Sequence, residues 1–368
     1  MDRQECDILV VGAGIAGASV AAELAEHGAG RIVVVEAESQ PGYHTTGRSA
    51  AFWEECYGGP QIVPLTMASG APLREGGFLT PRSALYLSRQ DDRARVDAFM
   101  ETFADSGVTI SPVGPDRIAE IVPGVRPEWN LAIHQPNCAD IDVAGLHQHF
   151  LARARTAGVA IRTRHRLQAA SREGAGWRVD LGGGGEMRAG IIVNAAGAWA
   201  DEVARACGAR PLGITPYRRT VAQLRCSPAP PADLPLVLDL AGNFYFRPEG
   251  GKIWLSPHDE TPSEPCDAAP EELDVAIAID RFEKVVDWRI EAVEHKWAGL
   301  RSFMPDRAPA YGYDMRQPGF FWCAGQGGYG IQTSPAGARL SAQLLLGKPR
   351  DAMTEAVDPA PYSPSRFG

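Results

Sequence analysis

Three textures follow one another at the start of the chain. Ile8–Val11 is an unbroken apolar run, Ala18–His27 carries apolar residues at helical spacing, and Arg31–Val35 is apolar again from Ile32 on. Apolar runs without alternation suit strands buried on both faces, as in a parallel sheet covered by helices. Residues 7–36 therefore predict one strand–helix–strand unit, its helix closed by Gly28–Gly30. Helical spacing returns after Asp142, whose side chain suits an N-cap for a helix running through Leu151 to Ala157. Trp177–Leu181 and Glu186–Val193 read as a hairpin, and Gly182–Gly185 as its turn, with no phosphate role. From Pro211 to Arg301 the texture changes to proline-punctuated alternating strands: YRRTVAQL, PLVLDL, NFYFRP and KIWLSP. They predict an antiparallel sheet with one face toward a cavity, joined by residues 77 to about 135.

The first turn carries chemistry. Gly12, Gly14 and Gly17 form GxGxxG between the first strand and its helix, with Ile15 and Ala16 inside the motif. The first glycine permits the turn, the second lets backbone approach a pyrophosphate, and the third lets helix and strand pack closely. The helix N-terminus adds unpaired N–H groups and a positive dipole end. Glu36, followed by Ala37, ends the second strand where a carboxylate can take both ribose hydroxyls. The unit predicts a dinucleotide and leaves open whether it is FAD or NAD.

Composition narrows the partners. The 368 residues favour two domains, and a formal charge of −9 argues against nucleic acid or an anionic membrane. Seven cysteines without paired spacing point to a reduced, cytoplasmic setting. No apolar stretch approaches the roughly 18 residues that span a bilayer, and no secretory pattern opens the chain. His147 and His149 lie two apart on a helix, on opposing faces, so no metal site is expected.

The stretch QPGYHTTGRSAAFWEECYG, residues 40–58, resembles the second cofactor-contacting segment of the D-amino-acid oxidase/dehydrogenase superfamily of flavoproteins, and within it the bacterial D-arginine dehydrogenase type. Two further blocks, IIVNAAGAWAD and FFWCAGQGGYGIQTSPAGARL, are similar to the family's later flavin contacts and stand in its order. The resemblance implies FAD, held noncovalently by a Rossmann-type, glutathione-reductase-like α/β domain. An α+β substrate domain on a mostly antiparallel sheet would complete the fold. The expected boundaries are 1–76, 136–210 and 302–368 for the first domain, and 77–135 and 211–301 for the second. Cofactor contacts carried over are Thr45, Thr46, Gly47, Arg48, Ser49, Ala50 and Ala51, with Arg48 and Ser49 at the phosphate and flavin edge. Ala195, Ala196, Gly197 and Trp199 form the next group, and Gly325, Gly327, Gly328, Tyr329, Gly330, Ile331, Gln332 and Thr333 the last. Backbone N–H groups there can face the flavin edge where negative charge gathers on reduction. Cys323 and His44 stand near places where some relatives attach FAD covalently. Nearer relatives are aliphatic at the first and noncovalent with the same YH pair at the second, so neither is expected to be a link.

For substrate, the resemblance implies a carboxylate clamp of Arg219 and Arg301, assisted by Tyr245. Tyr57 would line the pocket, and the Gly328 carbonyl would accept from the substrate amine. Arginine suits the clamp because its planar fork meets a carboxylate with two N–H groups. Arg218 is expected to be a solvated ion pair. The sequence departs from the D-arginine dehydrogenase pattern at Ala84, where that type has a carboxylate for the cationic side chain, at Phe52 (a histidine there) and at Glu54 (a threonine). The pocket is thus expected to favour a small neutral D-amino acid. Glu54 would either meet a substrate amine or reach solvent. The implied reaction is hydride transfer from Cα to flavin N5, giving an imine that hydrolyses to a 2-oxo acid, with oxygen or a quinone-type acceptor reoxidising the flavin. Glycine or N-methyl amino acid oxidation and 2-hydroxy acid dehydrogenation are the alternatives on this fold, and a flavin-bound scaffold without turnover is a third.

Overall fold

A computed structural model describes residues 4–368. Its first sheet is built on Gln4–Val11, which pairs in parallel with Ile32–Val35 on one side and Glu186–Asn194 on the other. Ala160–Arg162 extends the parallel set beyond Ile32–Val35, and Phe320–Ala324 joins the far half of Glu186–Asn194. The near half of that same strand takes Gly176–Asp180 antiparallel, which is the expected hairpin. Leu9, Val10, Val33 and Ile192 are buried, as strands covered on both faces require. The covering helices are Ile15–Glu26, Val143–Thr156 and Ser334–Leu346. Asp142 caps the second of these by accepting from the Gly145 N–H at 2.8 Å.

The first helix begins at Ile15, three residues before the start expected from its apolar spacing. Gly17 therefore lies inside the helix, where an added Cβ would strike the Gly12 carbonyl. It serves helix–strand packing and does not reach the cavity described below.

The second sheet has ten strands. Its spine is a long antiparallel pair, Thr215–Ser227 with Arg289–Phe303, continued by Lys252–Ser256, Tyr245–Glu249 and Leu236–Asp239. Ala84–Ser88 and Leu131–Gln135 come from the earlier segment and join the same sheet. One pair, Leu236–Asp239 with Ala84–Ser88, is parallel; the other pairings are antiparallel.

The two sheets meet through the segment after the second strand of the first. The Thr45 hydroxyl donates to Leu300 O at 2.8 Å, and Trp297 Nε1 donates to Arg48 O at 3.0 Å. Gln326–Gly327 then pairs with Ser302 and Phe303, tying the last glycine turn to the end of the long strand. Among the described residues no helix is long and apolar enough to cross a membrane.

Candidate active site

A cavity of about 610 Å³ lies between these sheets, lined by residues of both. At one part of its wall, Gly12, Gly14, Ile15 and Ala16 face Glu36 and Ala37. Gly12 has φ +101°, a conformation that favours glycine. The Glu36 carboxylate accepts from the Ala13 N–H at 2.8 Å and the Glu38 N–H at 2.9 Å, which fixes it at the strand end. The Ile15 N–H, at the helix start, donates to Thr46 Oγ1 at 3.0 Å. His147 donates to Ala13 O at 2.9 Å and packs on Gly42, a support for this loop. Among the described residues no group of three or more His, Cys, Asp or Glu could hold a metal ion.

Thr45, Thr46, Arg48, Ser49, Ala50 and Ala51 line the next part, with Ala195, Ala196, Gly197 and Trp199. Arg48 departs from expectation. Its guanidinium is committed to Asp267 and to the carbonyls of Ala268 and Ala298, so its charged end is turned away from a phosphate role. Gly327, Gly328, Gly330 and Ile331 also line the cavity.

Several expected contacts lie outside it, each for a packing reason. Gly47 sits against the Gly42 carbonyl, and Gly325 against Met304. Tyr329 is buried between Tyr57 and Phe303. Gln332 is turned to Glu54 and Thr66, and the Thr333 hydroxyl donates to Tyr329 O at the start of the last helix. Cys323 is packed in the core and not on the lining, its thiol pushed up to about 12 by burial. His44 does line the cavity, 3.0 Å from Glu38.

The clamp candidates converge. Arg219 and Arg301 lie on neighbouring strands, where Arg301 stands opposite Tyr217 and Arg219 opposite Gly299, so both project from one sheet face. Arg301 donates from Nη1 to the Tyr57 hydroxyl and from Nη2 to Glu260 at 2.9 Å. Arg219 donates from Nε to Asp259 O at 2.8 Å and its guanidinium stands 5.9 Å from the Tyr245 ring. Two buried donors, Arg219 Nη2 and Arg301 Nε, have no acceptor. Gly328 leaves no room for a side chain, because an added Cβ would strike the Tyr57 hydroxyl and Arg301. Arg218, by contrast, pairs with Glu271 and Asp274, the ion-pair role expected of it.

Glu260 was not foreseen. It bridges Arg301, Arg307 (2.7 Å) and, at 3.6 Å, Arg219. Burial pushes its carboxyl up, but the hydrogen bond and charge of Arg307 and the charge of Arg219 outweigh this and hold it below the usual range. His258, also unforeseen, lines the cavity beside Tyr245. Burial and the Arg219 charge lower its pKa to about 4, so the ring is neutral at neutral pH.

The remaining wall comprises Phe52, Glu54, Cys56, Tyr86, Leu236 and Leu238. Ala84 is not on the pocket wall, where its motif position had placed it. Ala84 is fully buried in the packing beneath the wall, and Tyr86, two residues along the same strand face, reaches the cavity instead. Glu54 does not reach solvent: it is 2% exposed, and its Oε1 accepts from the Cys56 N–H at 2.9 Å. Burial raises its pKa to about 7 against the opposing hydrogen bond from Tyr86.

A sequence model of the family described as "FAD dependent oxidoreductase" matches residues 7–344. The "FAD-dependent oxidoreductase domain-containing protein 1" of Bos taurus is 24% identical over 418 residues, spanning 99% of this chain and 85% of the relative. The glycine oxidase of Pseudomonas aeruginosa is 30% identical over 185 residues, 49% of this chain and 47% of that protein. The solved structure of glycine oxidase from Geobacillus kaustophilus superposes with a TM-score of 0.84 at 22% identity, covering 99% of each chain. At that identity the likeness is one of fold.

Proposed function

Because this chain belongs to the FAD-dependent oxidoreductase family, we propose that it oxidises the CH–N bond beside the carboxylate of a small amino acid. The substrate is a D-amino acid with an uncharged side chain, and the product is an imine that water hydrolyses to a 2-oxo acid. The D series rests on the motif likeness to the D-arginine dehydrogenase type. The residues fit the cofactor: a glycine turn at a helix start, the Glu36 carboxylate at the strand end, and small residues Ala50, Ala51, Ala195 and Ala196 along the cavity. FAD supplies the two-electron acceptor when bound.

The observation that carries the reading is the pair of buried arginines, Arg219 and Arg301, that border one cavity from neighbouring strands. Two guanidinium groups bordering an enclosed cavity suit a substrate carboxylate, which each can meet with charge-assisted hydrogen bonds. Tyr57 and Glu260 hold Arg301 in place, Gly328 lets Tyr57 and Arg301 approach its backbone, and its carbonyl accepts from the substrate amine. The side chain then meets Phe52, Tyr86, Leu236 and Leu238, whose apolar surface gains roughly 25 cal/mol per Å² covered. The alternative of 2-hydroxy acid oxidation needs a base for the hydroxyl proton. His258, its pKa lowered to about 4 by burial and the Arg219 charge, is a weak base, which leaves Glu54 as the group that reading would need.

The test is anaerobic bleaching of the bound flavin by D- and L-amino acids, secondary amines and 2-hydroxy acids. Fastest reduction by small neutral D-amino acids is expected. Reduction by hydroxy acids alone, or by nothing in the panel, would remove the assignment.

A further inference from the structure

Glu54 and Tyr57 belong to one turn, in which the Tyr57 N–H donates to Glu54 O at 3.2 Å. Gln332 locks this turn from both sides, accepting from the Glu54 N–H and donating to Glu54 O, each at 3.2 Å. The Tyr57 hydroxyl in turn holds Arg301. A carboxyl and the hydroxyl that holds Arg301 are thus mounted on a single short piece of backbone, and both residues border the cavity.

The surroundings of the Glu54 carboxyl are one-sided. Gln135 donates to its Oε1 and accepts from the Glu55 N–H at 2.9 Å. Titratable groups facing it are Glu55 and Cys56 on its own turn, Tyr86 on the Ala84–Ser88 strand, Cys138 beside Ala139–Ile141, and Tyr57. None of these is a cation. An enclosed carboxylate without a counter-charge is costly, so the group either keeps its proton or takes a cation from a ligand. We propose that Glu54, with Tyr86 beside it, determines which side chains the substrate may carry: uncharged ones while its carboxyl is protonated, cationic ones once it is ionised. The inference rests on the carboxylate-clamp reading above and assigns the specificity residue of that same site. Burial, opposed by Tyr86 and the Cys56 N–H and reinforced by Glu55, places the change near pH 7.

Valerate and 5-aminovalerate test this without turnover. They share a carboxylate and chain length and differ in a terminal ammonium. Binding of each to the holoenzyme is read from the flavin absorption at about pH 6 and about pH 8.5. Apparent affinity follows the fraction of protein in the competent state, so valerate should weaken by roughly tenfold or more between them and 5-aminovalerate should tighten by roughly tenfold. In Glu54→Gln both changes should vanish. In Tyr86→Phe, which removes the hydrogen bond favouring the ionised form, the midpoint should move to higher pH. If both acids bind wild-type protein with an affinity ratio that ignores pH, the proposal is overturned. Survival of the pH effect in Glu54→Gln would overturn it equally. If neither acid perturbs the flavin, the clamp itself is misread, and this inference goes with it.

Discussion

Arg301 is held by Tyr57 on one side and Glu260 on the other, and it borders the cavity beside Arg219. A lysine can reproduce the charge but not the fork, so Arg301→Lys should retain flavin and lose substrate affinity. The expected loss is one charge-assisted hydrogen bond, about 1.5 to 3 kcal/mol, or roughly tenfold to a hundredfold in kcat/KM. Unchanged steady-state kinetics would exclude it from the site. Glu54 makes a separate prediction about stability. Its folded pKa, about 7, stands above the ordinary value of 4.5, so between those values the native state binds more protons than the unfolded chain. Stability from this group is present below about 4.5, falls as pH rises toward 7, and is flat above; the span is on the order of 3 kcal/mol. Glu54→Gln should therefore gain in Tm over wild type as pH is raised from 5 to 7. A Tm difference that does not vary with pH would contradict the burial argument.

At the scale of elements, the glycine turns carry the predictions. Gly14 lines the cavity, where an added Cβ would already lie 3.2 Å from Thr46 Oγ1. Gly14→Leu should fold yet lose FAD, measured by the ratio of flavin to protein absorbance; full flavin content would mean that the phosphate turn lies elsewhere. Gly328→Ala should do the reverse, keeping flavin while displacing Tyr57 and Arg301, with KM raised far more than the cofactor content is lowered. These turns were legible because a strand run, a glycine triplet and helical spacing are local signals. What lay beyond the sequence was register and reach. Ala84 and Tyr86 share one face of one strand, and only the placement of the wall decides which of them meets the cavity. Arg48 matched its motif, yet Asp267, more than two hundred residues away, takes its guanidinium. Glu260 and His258 had no periodic or motif signal at all, since they lie on an irregular segment whose position is set by the sheet around it.

For the whole molecule, the noncovalent reading of the cofactor has a direct check. Cys323 is buried away from the cavity, and the other six cysteines are also unpaired. Heat or acid denaturation should release free FAD into the supernatant, whereas yellow precipitate would point to a covalent link. The division of labour within the site reaches further. The clamp arginines stand on a hydrogen-bonded ladder, where a slip of one residue would turn both to the opposite face. Gradual change there is nearly impossible. Phe52, Glu54 and Tyr86 sit instead on a short strand, the turn after it and another strand, where single substitutions alter shape or charge without disturbing that ladder. A lineage built on this plan can drift from one side chain to another while carboxylate recognition stays constant. Its members should then differ in the acids they accept far more than in the group by which they hold them.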